Sequence, residues 1–155
     1  MQKGTFAKAP LPRVEKVLEV ATSRHSKKLN SLMNGERCSI SELAVRGSAF
    51  LMDCIFKCDF LVEYEDINGE MLTLGIDVTT TPRDLLKKEK EINNSLYPSL
   101  KELGVARTAV ISWNRNDFLD MTLADSYSIA GVIMDRLDSN DLFCNSIILD
   151  KGCLE

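Results

Sequence analysis

Two aspartates form the clearest chemical pattern in this chain. Asp59 and Asp77 stand near the two ends of residues 59–79, in which apolar and polar residues alternate as they do in a β-hairpin. Two like charges placed opposite each other on paired strands repel, and a bound divalent cation such as Mg²⁺ relieves that repulsion. The pair therefore predicts a cation site, on the condition that the hairpin brings both side chains to one face.

The turn at the tip of the hairpin decides which residues face each other. A two-residue loop at residues 68–69 would place Asp59 opposite the residue after Asp77, with the two acids on opposite faces. A three-residue loop at residues 67–69, with Gly69 in the left-handed conformation, places Asp59 opposite Asp77. It also gathers the apolar side chains onto one face, namely Phe60, Val62, Tyr64, Leu72, Leu74, Ile76 and Val78. The other face then carries Asp59, Glu63, Glu65, Thr73, Asp77 and Thr79, with Leu61 and Met71 among them. We therefore predict the three-residue loop.

Size and composition predict a single cytoplasmic domain. The chain has 155 residues, a mass of 17.3 kDa and 45% hydrophobic residues. No apolar run approaches the roughly 20 residues that cross a bilayer, and the first residues lack the apolar core of a signal peptide. The five cysteines show no C-x-x-C spacing, so we expect reduced thiols in the core, without a disulfide framework or zinc site.

Charge is distributed unevenly along the chain. The net charge is −4, but residues 1–46 carry nine Lys and Arg against four Asp and Glu, whereas residues 47–155 carry ten against nineteen. A basic first third beside an acidic pocket could hold a phosphate backbone while a cation binds the carboxylates. The alternative is an ordinary solvated surface whose charges happen to be uneven.

Two helices and a strand are predicted before the hairpin. Pro10 and Pro12 precede an amphipathic pattern that predicts a helix over residues 12–33, ended by Asn34-Gly35. Ser39 and Glu42 have the spacing of a capping box, which predicts a short helix through Arg46. Residues 49–57 form an apolar run that predicts a buried strand.

Helices and strands alternate after the hairpin. Thr81 and Pro82 predict the start of a helix that runs to about Leu103 and ends at Gly104. Residues 107–113 predict a central strand, and residues 146–149 a short last strand. Residues 122–137 predict a third amphipathic helix whose inward side chains are Leu123, Tyr127, Ala130, Ile133, Met134 and Leu137. This order predicts an α/β (α+β) domain over residues 1–155, with a mixed central sheet flanked by helices.

This αβββαβ order, with an acid at each of two neighbouring strands, resembles the PD-(D/E)XK nuclease superfamily, which has the restriction-endonuclease-like fold. Residues 57–59 (Lys-Cys-Asp) occupy the first motif and residues 77–79 (Asp-Val-Thr) the second, so Thr79 stands where the motif has its catalytic Lys. The resemblance covers about residues 12–113. The remaining residues, 114–155, form a C-terminal appendix with a helix and a short strand.

The resemblance implies a Mg²⁺- or Mn²⁺-dependent DNA endonuclease. Asp59, Asp77 and the Val78 carbonyl would hold the metal, which lowers the pKa of a bound water. Thr79 can donate a hydrogen bond but carries no charge, so the lysine would come from the following helix. Lys88 lies beside the apolar face of that helix, whereas Lys87 and Lys90 point away from it. Members of the family often place a Glu of the first helix near the metal, and Glu15 is the best candidate. Glu89 falls on the apolar face, where the sequence offers no explanation for it other than pairing with a buried cation.

Three classes of function remain open. The first is an active endonuclease, which we expect to act as a homodimer through the 122–137 helix and the last strand. The second is a catalytically inactive nuclease-fold protein that serves in binding or assembly, which Thr79 and the negative net charge favour. The third is an unrelated α/β binding protein with an incidental pair of carboxylates. His25, the only histidine, lies near the inward face of the first helix, where a structural role is expected.

Overall fold

A mixed five-stranded sheet organises the chain. The computed structural model describes residues 5–154, so residues 1–4 and 155 of the predicted domain lie outside the description. The strands lie in chain order in the sheet: β1 (Ala7–Lys8), β2 (Phe60–Glu65), β3 (Met71–Thr79), β4 (Arg107–Trp113) and β5 (Cys144–Leu149). The pairs β1–β2 and β2–β3 are antiparallel, and the pairs β3–β4 and β4–β5 are parallel. The α/β class predicted from the sequence is thereby confirmed.

The hairpin of β2 and β3 has the predicted three-residue loop. Phe60 pairs with Ile76 and Glu65 with Met71. The Asp66 N–H donates to the Glu70 carbonyl at 2.8 Å. Gly69 has φ 82, a backbone conformation that glycine adopts without steric strain. The register therefore places Asp59 next to Asp77.

Both faces of the sheet are buried, which corrects the expectation of one polar face. The predicted apolar face packs on α6 (Leu123–Asp138) in a core that includes Val62, Leu74 and Ile76. The opposite face carries a second core formed with α1 (Val14–Arg24), α2 (Ser26–Glu36), α3 (Ile40–Phe56), α4 (Leu85–Glu91) and α5 (Tyr97–Glu102). Helices from distant parts of the sequence thus cover the acidic face of the hairpin.

The segment before the hairpin differs most from the sequence prediction. The helix expected over residues 12–33 is divided into α1 and α2 at His25, which has φ −135. The Ser39 capping box is confirmed, and a break at Gly47 (φ 88) comes directly after the predicted end of that helix. The strand expected at residues 49–57 is wrong, because these residues complete α3. Short apolar runs fit a buried helix and a buried strand equally well, and here the helical spacing of the buried side chains prevails.

The elements after the hairpin largely follow the prediction. A 3₁₀ turn (Pro82–Asp84), α4, a π-helical turn (Ile92–Leu96) and α5 occupy the predicted helix, and Gly104 follows with φ 90. Strand β4 has the predicted bounds, and β5 begins two residues early. In α6, Leu123 is 72% and Tyr127 is 44% exposed, so their predicted inward orientation is wrong. Among residues 5–154, no helix is long and apolar enough to span a membrane.

Candidate functional site

The end of the hairpin brings Asp59 and Asp77 together. Asp77 lies near the end of β3, and its side chain is only 7% exposed. Asp59 directly precedes β2, where its Oδ2 accepts a hydrogen bond from the Val78 N–H at 2.8 Å. With Phe60 opposite Ile76, the hairpin register continues so that Asp59 stands beside Asp77. Two neighbouring carboxylates repel each other, so the ionised pair carries negative charge that a proton or a cation must balance.

Helix α4 places Lys88 against this pair. The Lys88 Nζ lies 2.9 Å from Asp77 Oδ2, and the lysine side chain is 27% exposed. The helix packs on the sheet through buried Leu85 at its start and is followed by buried Ile92. This packing directs Lys88 inward, whereas Lys87 and Lys90 are exposed. The three side chains therefore have the orientations expected from helical periodicity.

Burial dominates the acidity of Asp77. Desolvation raises the pKa of its carboxyl above 3.8, and the charge of Asp59 raises it further. The hydrogen bond and the positive charge of Lys88 lower this pKa. The ammonium thus favours the ionised form of a carboxyl group whose burial favours the protonated form.

A third carboxyl group, Asp53, joins the site from α3, and the sequence prediction missed it. The pKa of Asp53 is raised by desolvation and then by its interaction with Asp59, whereas Lys57 and Lys88 lower it. Asp53 was missed because residues 49–57 were assigned to a strand. The helical spacing of Met52, Ile55 and Phe56 was the signal that could have revealed it.

Val78 and Thr79 complete this end of β3. The N–H and C=O of one residue in a strand point to the same neighbouring strand, so the Val78 carbonyl lies on the side of Asp59, like its N–H. Thr79 is half-buried, and its Oγ1 accepts a hydrogen bond from the Thr81 N–H at 3.1 Å. Its hydroxyl thus fixes the turn that leads into α4.

The two glutamates singled out in the sequence lie elsewhere. Glu15 is exposed in the first turn of α1 and makes no hydrogen bond or ion pair within residues 5–154. No contact of the Glu15 side chain supports its expected place beside the metal. Glu89 faces β5, where the Ser146 hydroxyl donates a hydrogen bond to it. The expectation of a buried cation beside Glu89 is therefore wrong.

The surroundings of His25 and of the cysteines can be compared with the sequence prediction. His25 Nε2 lies 2.6 Å from Ser99 Oγ, and the ring meets Phe56 edge-on, which agrees with a structural role. Cys58 and Cys144 are buried as expected, whereas Cys54 is exposed on α3, which corrects its predicted core position. The side chain of Cys153 lies outside the described part of the structure.

The donor groups at the acid pair match a cation that needs few protein ligands. Within residues 5–154, no group of three or more His, Cys, Asp or Glu side chains is arranged to hold a metal ion. Mg²⁺ uses one or two carboxylates and completes its shell with water and substrate oxygens, whereas structural Zn²⁺ needs four protein ligands. Asp59, Asp77 and the Val78 carbonyl supply oxygen atoms, the donor type that Mg²⁺ takes, and too few ligands for a closed zinc site.

Comparison of this chain with family models, with curated proteins and with solved structures finds no match. The fold and the site define an α/β protein whose mixed sheet ends in a cluster of three aspartates and one lysine. Its function has to be argued from that cluster.

Proposed function

We propose that this protein is a metal-dependent DNA endonuclease that hydrolyses phosphodiester bonds. The observation that carries the proposal is the 2.9 Å contact between the Lys88 ammonium and Asp77, which the hairpin register places beside Asp59. Two carboxyl groups and an amine that converge at one sheet end supply both a cation site and a positive charge for a phosphate. The proposal includes Lys88 in the role of the motif lysine that Thr79 replaces.

The order of elements around the site supports a restriction-endonuclease-like fold. The hairpin of β2 and β3, the helical segment α4–α5 and the parallel strand β4 correspond to three consecutive parts of that core, with the acids at the expected strand ends. The strand expected before the hairpin is absent at residues 49–57, and the short β1 pairs with β2 instead. We therefore propose a variant of the fold in which a helix precedes the first acid.

Asp59, Asp77 and the Val78 carbonyl would hold Mg²⁺ or Mn²⁺ in this proposal. The bound ion would supply a water of lowered pKa and would neutralise charge on the phosphate. The Asp59 side chain keeps β2 and β3 together through the Val78 N–H, so it presents its other oxygen at a fixed position. Lys88 would favour the ionised form of Asp77 and would donate hydrogen bonds to a phosphate oxygen.

The test is cleavage of supercoiled plasmid, a four-way junction and single-stranded DNA with Mg²⁺ or Mn²⁺. We expect Asp77→Ala and Lys88→Ala each to reduce the cleavage rate by at least about 100-fold, because each removes a group that acts directly on charge in the transition state. Lys90→Ala is the matched control, since Lys90 lies on the same helix but is exposed. The wild type must cut at least one substrate, and a folded Asp77→Ala variant that cuts equally well would refute the proposal.

An inactive binding or assembly protein is the second candidate. Two observations favour it: the Thr79 hydroxyl is engaged in a local turn, and the one amine at the site is already paired with Asp77. This candidate predicts that wild-type protein binds DNA without cutting it. A rise in Tm with Mn²⁺ that Asp77→Ala abolishes would still identify a metal site in such a protein.

We propose that β5 and α6 form the interface of the homodimer. The edge strand β5 and helix α6 expose large apolar side chains, among them Leu123 at 72%, Ile148 at 60% and Tyr127 at 44%. Sedimentation equilibrium of the wild type and of Leu123→Asp tests it, and a wild type that stays monomeric at high concentration would exclude the dimer.

A further inference from the structure

A cavity of about 420 Å³ opens beside the acid pair, at the edge of the sheet that β1 forms. Asp59 lies in its wall, so the cavity is continuous with the candidate site. The rest of the wall is mostly apolar and comes from residues 6–11, α3 and β2. Sites for small molecules have volumes of about 300–1,000 Å³ and combine apolar walls with a few polar groups. The cavity therefore has the size and the lining of a binding site.

The short strand β1 leaves this space open. At the end of β1 the Ala9 N–H donates a hydrogen bond to the Leu61 carbonyl at 3.1 Å. Pro10 follows, and a proline has no N–H with which to extend a strand. Asp59 and Phe60 lie beyond this last hydrogen bond, so the cavity borders both of them.

Phe60 presents an uncovered aromatic side chain to the cavity. It lies on the same face of β2 as the buried Val62 and Tyr64, but it is itself 46% exposed. Phe60 belongs to neither of the two buried cores. It also borders a second, almost wholly apolar cavity of about 330 Å³ beneath α6, so open space lies on two sides of it. Aromatic rings stabilise proteins and complexes when they are covered, which favours a ligand that covers this ring.

Lys8 adds a positive charge to the wall of the same cavity. It pairs with Val62 across β1 and β2, so its side chain lies on the same face of the sheet as Phe60. Lys8 is exposed and makes no ion pair within residues 5–154. Sites for single-stranded nucleic acid combine such a positive charge, which attracts the backbone, with an aromatic side chain on which a base stacks.

We propose that this cavity binds an unpaired base stacked on Phe60, with a backbone phosphate at Lys8, and that the substrate is single-stranded DNA. The inference rests on the proposed function and names its substrate class. A base in an intact duplex is stacked between its neighbours and enters a concave site only when it is flipped out. Asp59 belongs both to the cavity and to the acid pair, so the bound base and the reacting phosphate lie in the same short stretch of the strand.

Binding of fluorescein-labelled probes tests this site, with Ca²⁺ in place of Mg²⁺. The probes are a short thymidine oligonucleotide, an abasic strand of the same length, which has the phosphates without the bases, and a duplex. We expect the wild type to bind the thymidine strand at least about ten-fold more tightly than the abasic strand or the duplex. Phe60→Ala should weaken binding of the thymidine strand about ten-fold, as loss of one base–aromatic contact does, and leave the Kd of the abasic strand unchanged.

Tyr97→Ala is the matched control, because Tyr97 is an aromatic residue of similar exposure, 38%, that lines neither cavity. It should leave every Kd unchanged. Phe60→Leu keeps most of the apolar volume and should show the same loss of binding, even if the alanine variant is unstable. Wild-type affinity of a folded Phe60 variant for the thymidine strand, or an equal loss on the abasic strand, would overturn the inference.

The same measurements separate the inference from the proposed function. Cleavage by a wild type that binds the abasic and thymidine strands equally would leave the endonuclease standing without the base site. Base-dependent binding without cleavage of any substrate would uphold the base site and refute the endonuclease. A wild type that neither binds nor cuts DNA would refute both.

Discussion

Lys88→Met should destabilise the fold, because it leaves Asp77 buried without its cation. At the 2.9 Å separation of the two charged atoms, the gross attraction is about 6 kcal/mol for an effective dielectric constant of about 20. Desolvation of the lysine offsets part of this attraction, and breaking a buried pair typically costs about 3–5 kcal/mol. Lys88 remains 27% exposed, so we expect a loss of about 2 kcal/mol near pH 8, or about 6 °C in Tm.

The stability lost in Lys88→Met should depend on pH, in the direction set by the raised pKa of Asp77. Because the folded-state pKa of Asp77 is raised above 3.8, the native chain holds more protons than the unfolded chain between these two values. The free energy of unfolding therefore falls as the pH rises through that window. Lys88→Met removes the two influences that lower this pKa, so the window extends upward. The variant should differ from the wild type more at about pH 8 than at about pH 5, because protonation of Asp77, which becomes easier in the variant, removes the unpaired charge as the pH falls.

Urea unfolding at the two pH values measures this effect, with a double-mutant cycle that adds Asp77→Asn. The double variant has neither charge and should be close to the wild type in stability, which gives a coupling energy of about 2 kcal/mol. Lys90→Met controls for the loss of an exposed lysine from the same helix. A Lys88→Met variant within about 0.5 kcal/mol of the wild type at both pH values would refute the reasoning, because surface substitutions typically stay within that limit.

Two further predictions concern packing and acidity. In Gly75→Ala the new Cβ would meet the Cys58 Sγ at 2.6 Å, so chemical unfolding should show a loss of about 1–3 kcal/mol. Adding Cys58→Ala should recover part of it, and strictly additive losses would contradict this contact. Burial lowers the pKa of His25 below 6.5, and the charges of Lys28 and Arg24 lower it further. Protonation of the imidazole should therefore destabilise the native state as the pH falls below 6.5. The stability of His25→Gln relative to the wild type should therefore increase between about pH 7 and pH 5, and a constant difference would count against the buried, neutral imidazole.

The positions of Asp59, Asp77 and Lys88 could be predicted from short stretches of sequence. The register of the hairpin follows from Gly69 and from the alternation of apolar residues, and both act within about twenty residues of chain. The inward direction of Lys88 follows from helical periodicity relative to the apolar residues of the same helix. The contact between Lys88 and Asp77 could thus be anticipated, because each side chain is oriented by its own element and the two elements are joined by a short turn.

Other parts of the site depend on contacts between distant residues. Residues 49–57 have no local signal that separates helix from strand, so the approach of Asp53 to Asp59 follows only once α3 packs on the sheet. The burial of Asp77 likewise depends on helices that precede and follow the hairpin.

The sequence by itself therefore determined which face and which end of the hairpin carry the acids, and which lysine lies near them. Tertiary structure decided that this face is buried and that a third carboxyl group, Asp53, acts on the pair. The physical reason is range: backbone geometry and side-chain periodicity act along one element, whereas desolvation and charge coupling arise from every element packed around a group.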